Sequence, residues 1–91
     1  MELSWCVLGS NGNGGAPCEF NAELIRCMQR LPKPVREEAH YDMSPLQMRG
    51  YANRLYFFVD DVGAHAKPNL KAAIGWLRYW AERGVQMQAS C

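Results

Sequence analysis

The strongest constraint on this chain is a pair of segments between Ser44 and Gly84 in which apolar residues recur at helical spacing. The first segment starts with a capping serine, a proline at the first helical position and Gln47 at the third, which together form a capping box. Gly63 is placed to end it as a left-handed residue. The apolar stripe comprises Met48, Tyr51, Ala52, Leu55, Phe58, Val59 and Val62. The pattern predicts a helix of about five turns.

The second segment is a helix that we expect Asn69 to cap and Gly84 to follow. Its apolar face comprises Leu70, Ala73, Ile74, Leu77, Trp80 and Ala81. Because only the short turn from Gly63 to Pro68 separates the two segments, the sequence predicts that they form an antiparallel helical hairpin.

Two shorter helices are predicted upstream of the hairpin. The first runs from Ala22 to about Arg30, with Asn21 as its cap, a staple between Phe20 and Ile25, and Pro32 as its stop. Its apolar stripe is Leu24, Cys27, Met28 and Leu31. The second extends from Pro34 to about Tyr41 and has only a thin apolar face. The predicted fold class is therefore mainly α, a small bundle of three to four short helices.

The N-terminal region is predicted to be an extended arm. Residues 3–8 alternate weakly, as in a strand, and the glycine-rich run 9–16 indicates a loop. A lone strand needs a partner, so the arm pairs with residues 16–20, pairs with another chain, or stays irregular. The predicted organisation is an arm and loop over 1–19, a helical domain over 20–84 and a flexible tail over 85–91.

Size and charge restrict the function classes. A chain of 91 residues that is 48% hydrophobic can form one core but buries only about two-thirds of its unfolded surface, so we expect oligomerisation. A net charge of +1 gives little attraction to nucleic acid or to anionic membranes. Because residues 1–8 lack an export signal and no long apolar run follows, we expect a cytoplasmic protein with reduced cysteines.

Recognisable catalytic and metal-binding patterns are missing from the sequence. His40 lies near Glu37, Glu38 and Asp42, which is typical of a solvated charged face, and His65 falls in a turn. The four cysteines form no C-x-x-C pair, and the glycine-rich run lacks the Gly-Lys-Ser/Thr ending of a phosphate loop. We therefore expect no enzymatic activity, no cofactor and no metal.

The faces opposite the two long stripes carry a second set of apolar residues. Phe57 projects away from the core stripe of its helix, and Ala72, Trp76 and Tyr79 follow i, i+4, i+7 spacing with Gly75 beside them. Such faces are either covered by something outside the monomer or, alternatively, Trp76 and Tyr79 pack under the arm or the second helix.

The first alternative predicts a protein interface on the hairpin. Its aromatic anchors are Phe57, Trp76 and Tyr79, its close-approach positions are Ala72 and Gly75, and its polar rim is Arg54, Arg78 and Arg83. The predicted function is a non-enzymatic interaction module, a small regulator or inhibitor that occludes a larger protein such as a transcription factor and that also forms a homodimer.

The other predicted function is a small DNA-binding regulator of the helix-turn-helix kind. The last helix would then be the recognition helix, with Lys71, Arg78 and Arg83 contacting phosphates. Its apolar and aromatic faces and the small net charge favour the protein interface over DNA.

Overall fold

The chain is mainly helical in a computed structural model that describes residues 4–7 and 22–90. The described elements are strand β1 (Ser4–Val7), helices α1 (Ala22–Arg30), α2 (Lys33–Glu38) and α3 (Pro45–Phe57), a 3₁₀ turn (Val59–Asp61), helix α4 (Lys67–Glu82) and strand β2 (Met87–Ser90). The predicted mainly α class is confirmed, and so are the bounds of the first helix.

Helix α3 begins as the sequence predicts and ends earlier. The Gln47 backbone N–H donates to Ser44 Oγ at 3.2 Å, and the Ser44 backbone N–H donates to Gln47 Oε1 at 2.9 Å, which completes the capping box. The helix ends at Phe57, so the predicted continuation to Val62 is wrong. In a helix that continued to Val62, Asp60 and Asp61 would lie in the last turn, where their charges repel the negative end of the helix dipole. The chain instead forms the tighter 3₁₀ turn. Val62 is still buried.

Helix α4 begins at Lys67, so the prediction that Asn69 caps it is wrong. The N-cap residue is Ala66, whose carbonyl accepts the Leu70 amide at 3.0 Å. Pro68 fits the first turn because a proline there sacrifices no helical hydrogen bond. At the other end Gly84 has a φ of 70°, the left-handed conformation that the sequence predicts.

Helix α2 is shorter than predicted. It ends at Glu38, and the following His40 and Tyr41 amides bond to carbonyls three residues back, so they belong to a turn. The expectation that the helix reaches Tyr41 is therefore wrong. Val35 is its one buried residue, which leaves little apolar packing to extend it.

The C-terminal segment is not a flexible tail over Met87–Ser90. These residues form β2, which pairs antiparallel with β1 and aligns Trp5 with Ala89. On its other side, Met87 exchanges two backbone hydrogen bonds with Met43, at 2.9 and 3.0 Å. The arm therefore pairs with a segment that was not among its three predicted alternatives, because ends this distant in sequence leave no local signal of their pairing.

One hydrophobic core joins both strands to the helices. Helices α3 and α4 pack against each other, and Met48, Leu55, Leu70 and Leu77 are fully buried between the elements. Trp5 and Met87 bring the strands into the same cluster. The core thus occupies one side of α3 and of α4 and leaves the opposite side of each helix outward.

Some predictions lie outside the described residues: the cap at Asn21, the staple residue Phe20, the glycine-rich run, Cys18 and Cys91. Among the helices that the structure does describe, none combines the length and apolar character needed to cross a membrane.

Candidate protein-binding surface

The outward side of α3 carries a large, exposed apolar side chain near each of its ends. Leu46, Gly50, Asn53 and Phe57 follow i, i+4, i+7, i+11 spacing and therefore share one side of the helix, which we call the α3 outer face. Leu46 is 77% exposed and Phe57 is 79% exposed. The Phe57 ring meets the Phe58 ring edge to face at 5.3 Å between centroids. Two large apolar side chains thus stand in solvent about 16 Å apart along the axis.

The corresponding side of α4 is built from small residues and one tyrosine. Ala72, Gly75 and Tyr79 follow i, i+3, i+7 spacing, and together they form the α4 outer face. No heavy atom outside the local backbone lies within 4 Å of the point that a Cβ on Gly75 would occupy. The α4 outer face is therefore open enough for another backbone to approach closely.

Tyr79 is exposed but held in place. The residue is 48% exposed. Its ring packs edge to face on the Trp80 ring, with 4.9 Å between the two centroids. The Arg83 guanidinium lies 3.4 Å from the Tyr79 ring centroid, and its Nη1 donates to the Tyr79 carbonyl at 2.9 Å. A tyrosine fixed in this way loses little conformational entropy on binding a partner.

Arg78 connects the two outer faces. Its Nη2 donates to Asn53 Oδ1 on α3 at 3.2 Å, and its guanidinium carbon lies 5.3 Å from the centroid of the Tyr56 ring. Tyr56 is itself 58% exposed. The two outer faces with Tyr56, Arg78 and Arg83 therefore form a joined region, which we call the α3–α4 outer surface.

Trp76 does not lie in the open part of this surface. It is half-buried, packs against the core, and has its ring centroid 5.9 Å from that of Trp5 on β1. This contact matches the alternative in which Trp76 packs under the N-terminal arm, whereas Tyr79 stays outward.

Arg54 points toward α2 and away from the other two predicted rim arginines. It forms a two-point ion pair with Glu38, with Nε and Nη2 at 2.9 and 2.6 Å from the two carboxylate oxygens. The pair lines a groove of about 450 Å³ that the exposed Tyr41 and Leu46 also line. The predicted rim is thus divided, with Arg78 and Arg83 on the α3–α4 outer surface and Arg54 in this groove.

The predicted interface lacked three exposed side chains. Leu46 lies on the same side of the helix as Phe57, so helical spacing predicts that it faces outward. Its position between Ser44 and Gln47 instead drew attention to the capping motif. Tyr56 and Tyr41 carry no such signal, because their exposure depends on where the helices end and how they pack.

Three described groups have perturbed acidity, and each has a structural cause. Burial raises the pKa of the Tyr51 hydroxyl, an effect that Glu38 reinforces and Arg54 opposes. Burial likewise raises the pKa of the Cys27 thiol, against a smaller opposite influence of Arg30. The hydrogen bond from Lys67 lowers the pKa of the exposed Asp60 carboxyl.

The described residues contain no group of three or more histidines, cysteines or acidic residues placed to hold a metal ion. Comparisons with known proteins find no matching family model, no similar curated protein and no similar solved structure.

Proposed function

We propose that the chain is a non-enzymatic protein-binding module in which α3 and α4, an antiparallel hairpin of a small helical bundle, bind a larger protein and occlude part of its surface. The observation that carries the proposal is the exposure of Leu46 and Phe57 along one helix face, continued across the Arg78 contacts to Tyr79. Single exposed apolar residues are ordinary, but joined sets of them mark interaction sites.

The chemistry of this surface suits an interface with aromatic anchors. Phe57, Tyr56 and Tyr79 supply large apolar area with few rotatable bonds. Ala72 and Gly75 permit close approach, and Arg78 and Arg83 supply charged hydrogen-bond donors at the edge. A regulator of a larger protein such as a transcription factor, acting in the cytoplasm with Cys27 reduced and buried, is the role that we assign.

The same surface is also our proposed homodimer contact. A small domain gains stability when a second copy covers exposed apolar side chains. If the copies meet through Phe57 and Tyr79, self-association and partner binding compete, and the larger protein binds the monomer.

The first experiment measures solution mass by light scattering over a dilution series for the wild type and for Phe57→Asp. We expect a dimer that dissociates on dilution in the wild type and a monomer at all concentrations in Phe57→Asp, because the variant places a charge at the most exposed anchor. Circular dichroism checks that the variant keeps its helices.

Partner binding is tested by replacing Phe57 with the photo-crosslinking residue p-benzoylphenylalanine and irradiating cells that express the chain. We expect one dominant crosslinked product that is larger than two crosslinked copies of the chain and that Tyr79→Asp in the same chain abolishes. The matched control places the crosslinker at the exposed Lys33 on α2. Equal crosslinking from both positions, or a product that survives Tyr79→Asp, contradicts the proposal.

DNA binding remains the other proposed function. The net charge of +1 and the exposed aromatic side chains of the surface favour it less than protein binding, because attraction to the phosphate backbone dominates affinity for DNA. Affinity for duplex DNA that falls steeply with salt would favour the DNA-binding proposal, because phosphate contacts release counterions.

A further inference from the structure

A second groove lies between α1 and the turn that leads into α4, and the proposed protein-binding surface does not use it. Its volume is about 410 Å³. One wall is formed by Arg26, Cys27 and Arg30, and the other by residues 62–66. This volume exceeds the roughly 30 Å³ of one water molecule by enough to admit an ionic group with atoms attached to it.

The floor of the groove is apolar and fixed. Cys27, Val62 and Ala66 are buried, and Gly63 adopts a φ of 89°, a conformation that side chains rarely tolerate. Arg30 Nη1 donates to the Val62 carbonyl at 3.4 Å, which links α1 to the turn. The arginine is thus positioned by the fold, and four of its five N–H groups are not used by any described contact.

The charged side chains among the described lining residues are two arginines. Arg26 and Arg30 are four residues apart on α1 and so lie on one side of that helix, and His65 lines the opposite wall. None of the described lining residues is acidic. Helix α4 begins directly after the lining turn, so the positive end of its dipole also favours an anion near the groove.

We propose that this groove binds a phosphate group, with Arg30 as its principal ligand and Arg26 and His65 completing the contacts from two walls. Donors that border one groove from two elements suit a tetrahedral anion with three accepting oxygens, and a guanidinium pairs with such an anion through two parallel hydrogen bonds. The phosphate belongs either to a small phosphorylated molecule or to a phosphorylated side chain.

The test is a titration of the ¹⁵N-labelled protein with inorganic phosphate at constant ionic strength, followed by amide NMR shifts. We expect saturable shifts at Cys27, Arg30 and residues 63–66. Arg30→Gln should weaken binding about tenfold or more, as expected for loss of charged hydrogen bonds. Arg49→Gln, which removes an exposed arginine of α3, is the matched control and should bind as the wild type does.

A second variant guards against a folding defect in Arg30→Gln. Ala64 is exposed in the lining turn, so Ala64→Glu adds a negative charge to the groove without removing a core contact. It should also weaken phosphate binding. Shifts that do not saturate, or that are unchanged in both groove variants, overturn the proposal.

Two further probes identify the source of the phosphate. Free phosphoserine and a phosphoserine-containing peptide are titrated under the same conditions. Equal affinity for both indicates a site for small phosphorylated molecules, whereas a peptide that binds at least tenfold more tightly indicates a phosphorylated protein. Either result supports the phosphate site if Arg30→Gln also weakens the binding of the probe.

Discussion

Trp5 and Phe57 show how differently one small chain uses its aromatic residues. Trp5 is fully buried: its Nε1 donates to the Ala39 carbonyl at 2.9 Å and its ring packs against Tyr51 and Trp76. Phe57, at the end of α3, is 79% exposed, and its ring packs edge to face against that of its neighbour Phe58. An aromatic residue of the N-terminal strand lies in the core, whereas one at the end of a long helix lies outside it. The difference teaches that burial here follows non-local contacts.

The largest expected effect is that of truncating Trp5, the buried residue of this comparison. Trp5→Ala removes a large side chain from the centre of the core and leaves the Ala39 carbonyl without its donor, so the free energy of unfolding should fall by about 3–5 kcal/mol. Urea denaturation followed by circular dichroism measures the change.

Phe57→Ala is the matched control for Trp5→Ala. Since Phe57 lies mostly in solvent, its truncation in the monomer should change the free energy of unfolding by no more than about 0.5 kcal/mol. Similar losses in the two variants would remove the distinction between the core and the α3–α4 outer surface.

Tyr51 and Tyr56 allow the same comparison with a single hydroxyl group. The Tyr51 hydroxyl donates to the Val35 carbonyl at 2.8 Å inside the core, so Tyr51→Phe leaves that carbonyl unpaired and should cost about 1–3 kcal/mol. Tyr56 is exposed, and Tyr56→Phe should unfold at the wild-type urea concentration. Equal midpoints for both variants would contradict a structural role for the buried bond.

The Tyr51 hydroxyl also predicts a pH dependence. Its pKa is raised in the folded chain, so the folded state favours the neutral phenol. That contribution is complete below the unfolded pKa of about 10 and is lost as pH rises above it. Between pH 9 and 12, the wild type should lose more stability than Tyr51→Phe, as measured by urea midpoints at each pH. Parallel losses would show that the hydroxyl ionises as readily in the fold as in the unfolded chain.

Ser44→Ala has a smaller expected effect, since it removes one cap from α3. The Gln47 amide loses its acceptor, and the free energy of unfolding should fall by about 1 kcal/mol. Ser44→Asp keeps an acceptor at that position and should restore most of the loss. A full loss in Ser44→Asp would show that the capping oxygen is not what stabilises the helix start.

Local signals predicted the helices better than they predicted their ends. The Ser44 capping box and the stripe from Met48 to Leu55 depend only on neighbouring residues, and both match the structure. The change to a 3₁₀ turn at Val59 and the start of α4 at Lys67 depend on how charges and prolines are accommodated in packed helices. Spacing alone does not contain that information.

The pairing of β1 with β2 could not be predicted from the sequence for a different reason. Trp5 and Met87 are at opposite ends of the chain, and each strand is only four residues long, too short for a clear alternation. The same limit affects the candidate surface. Helical spacing predicts that Phe57 and Tyr79 face outward. The half-buried position of Trp76 depends on its contact with Trp5, and the position of Arg54 depends on its ion pair with Glu38, so neither follows from spacing.

The smallest effect sharpens the comparison on the outer side. Gly75 lies within α4 with open space around its Cβ position, so Gly75→Ala should raise the free energy of unfolding by about 0.5–1 kcal/mol through better helix propensity. If another backbone approaches here, the added methyl should weaken self-association in light scattering while thermal stability rises. Arg49→Ala, also on an exposed helix position, raises helix propensity little and should leave both properties near the wild type. Gly75→Ala that stabilises the monomer and leaves the dimer equally strong would place the contact elsewhere, on the α3 outer face.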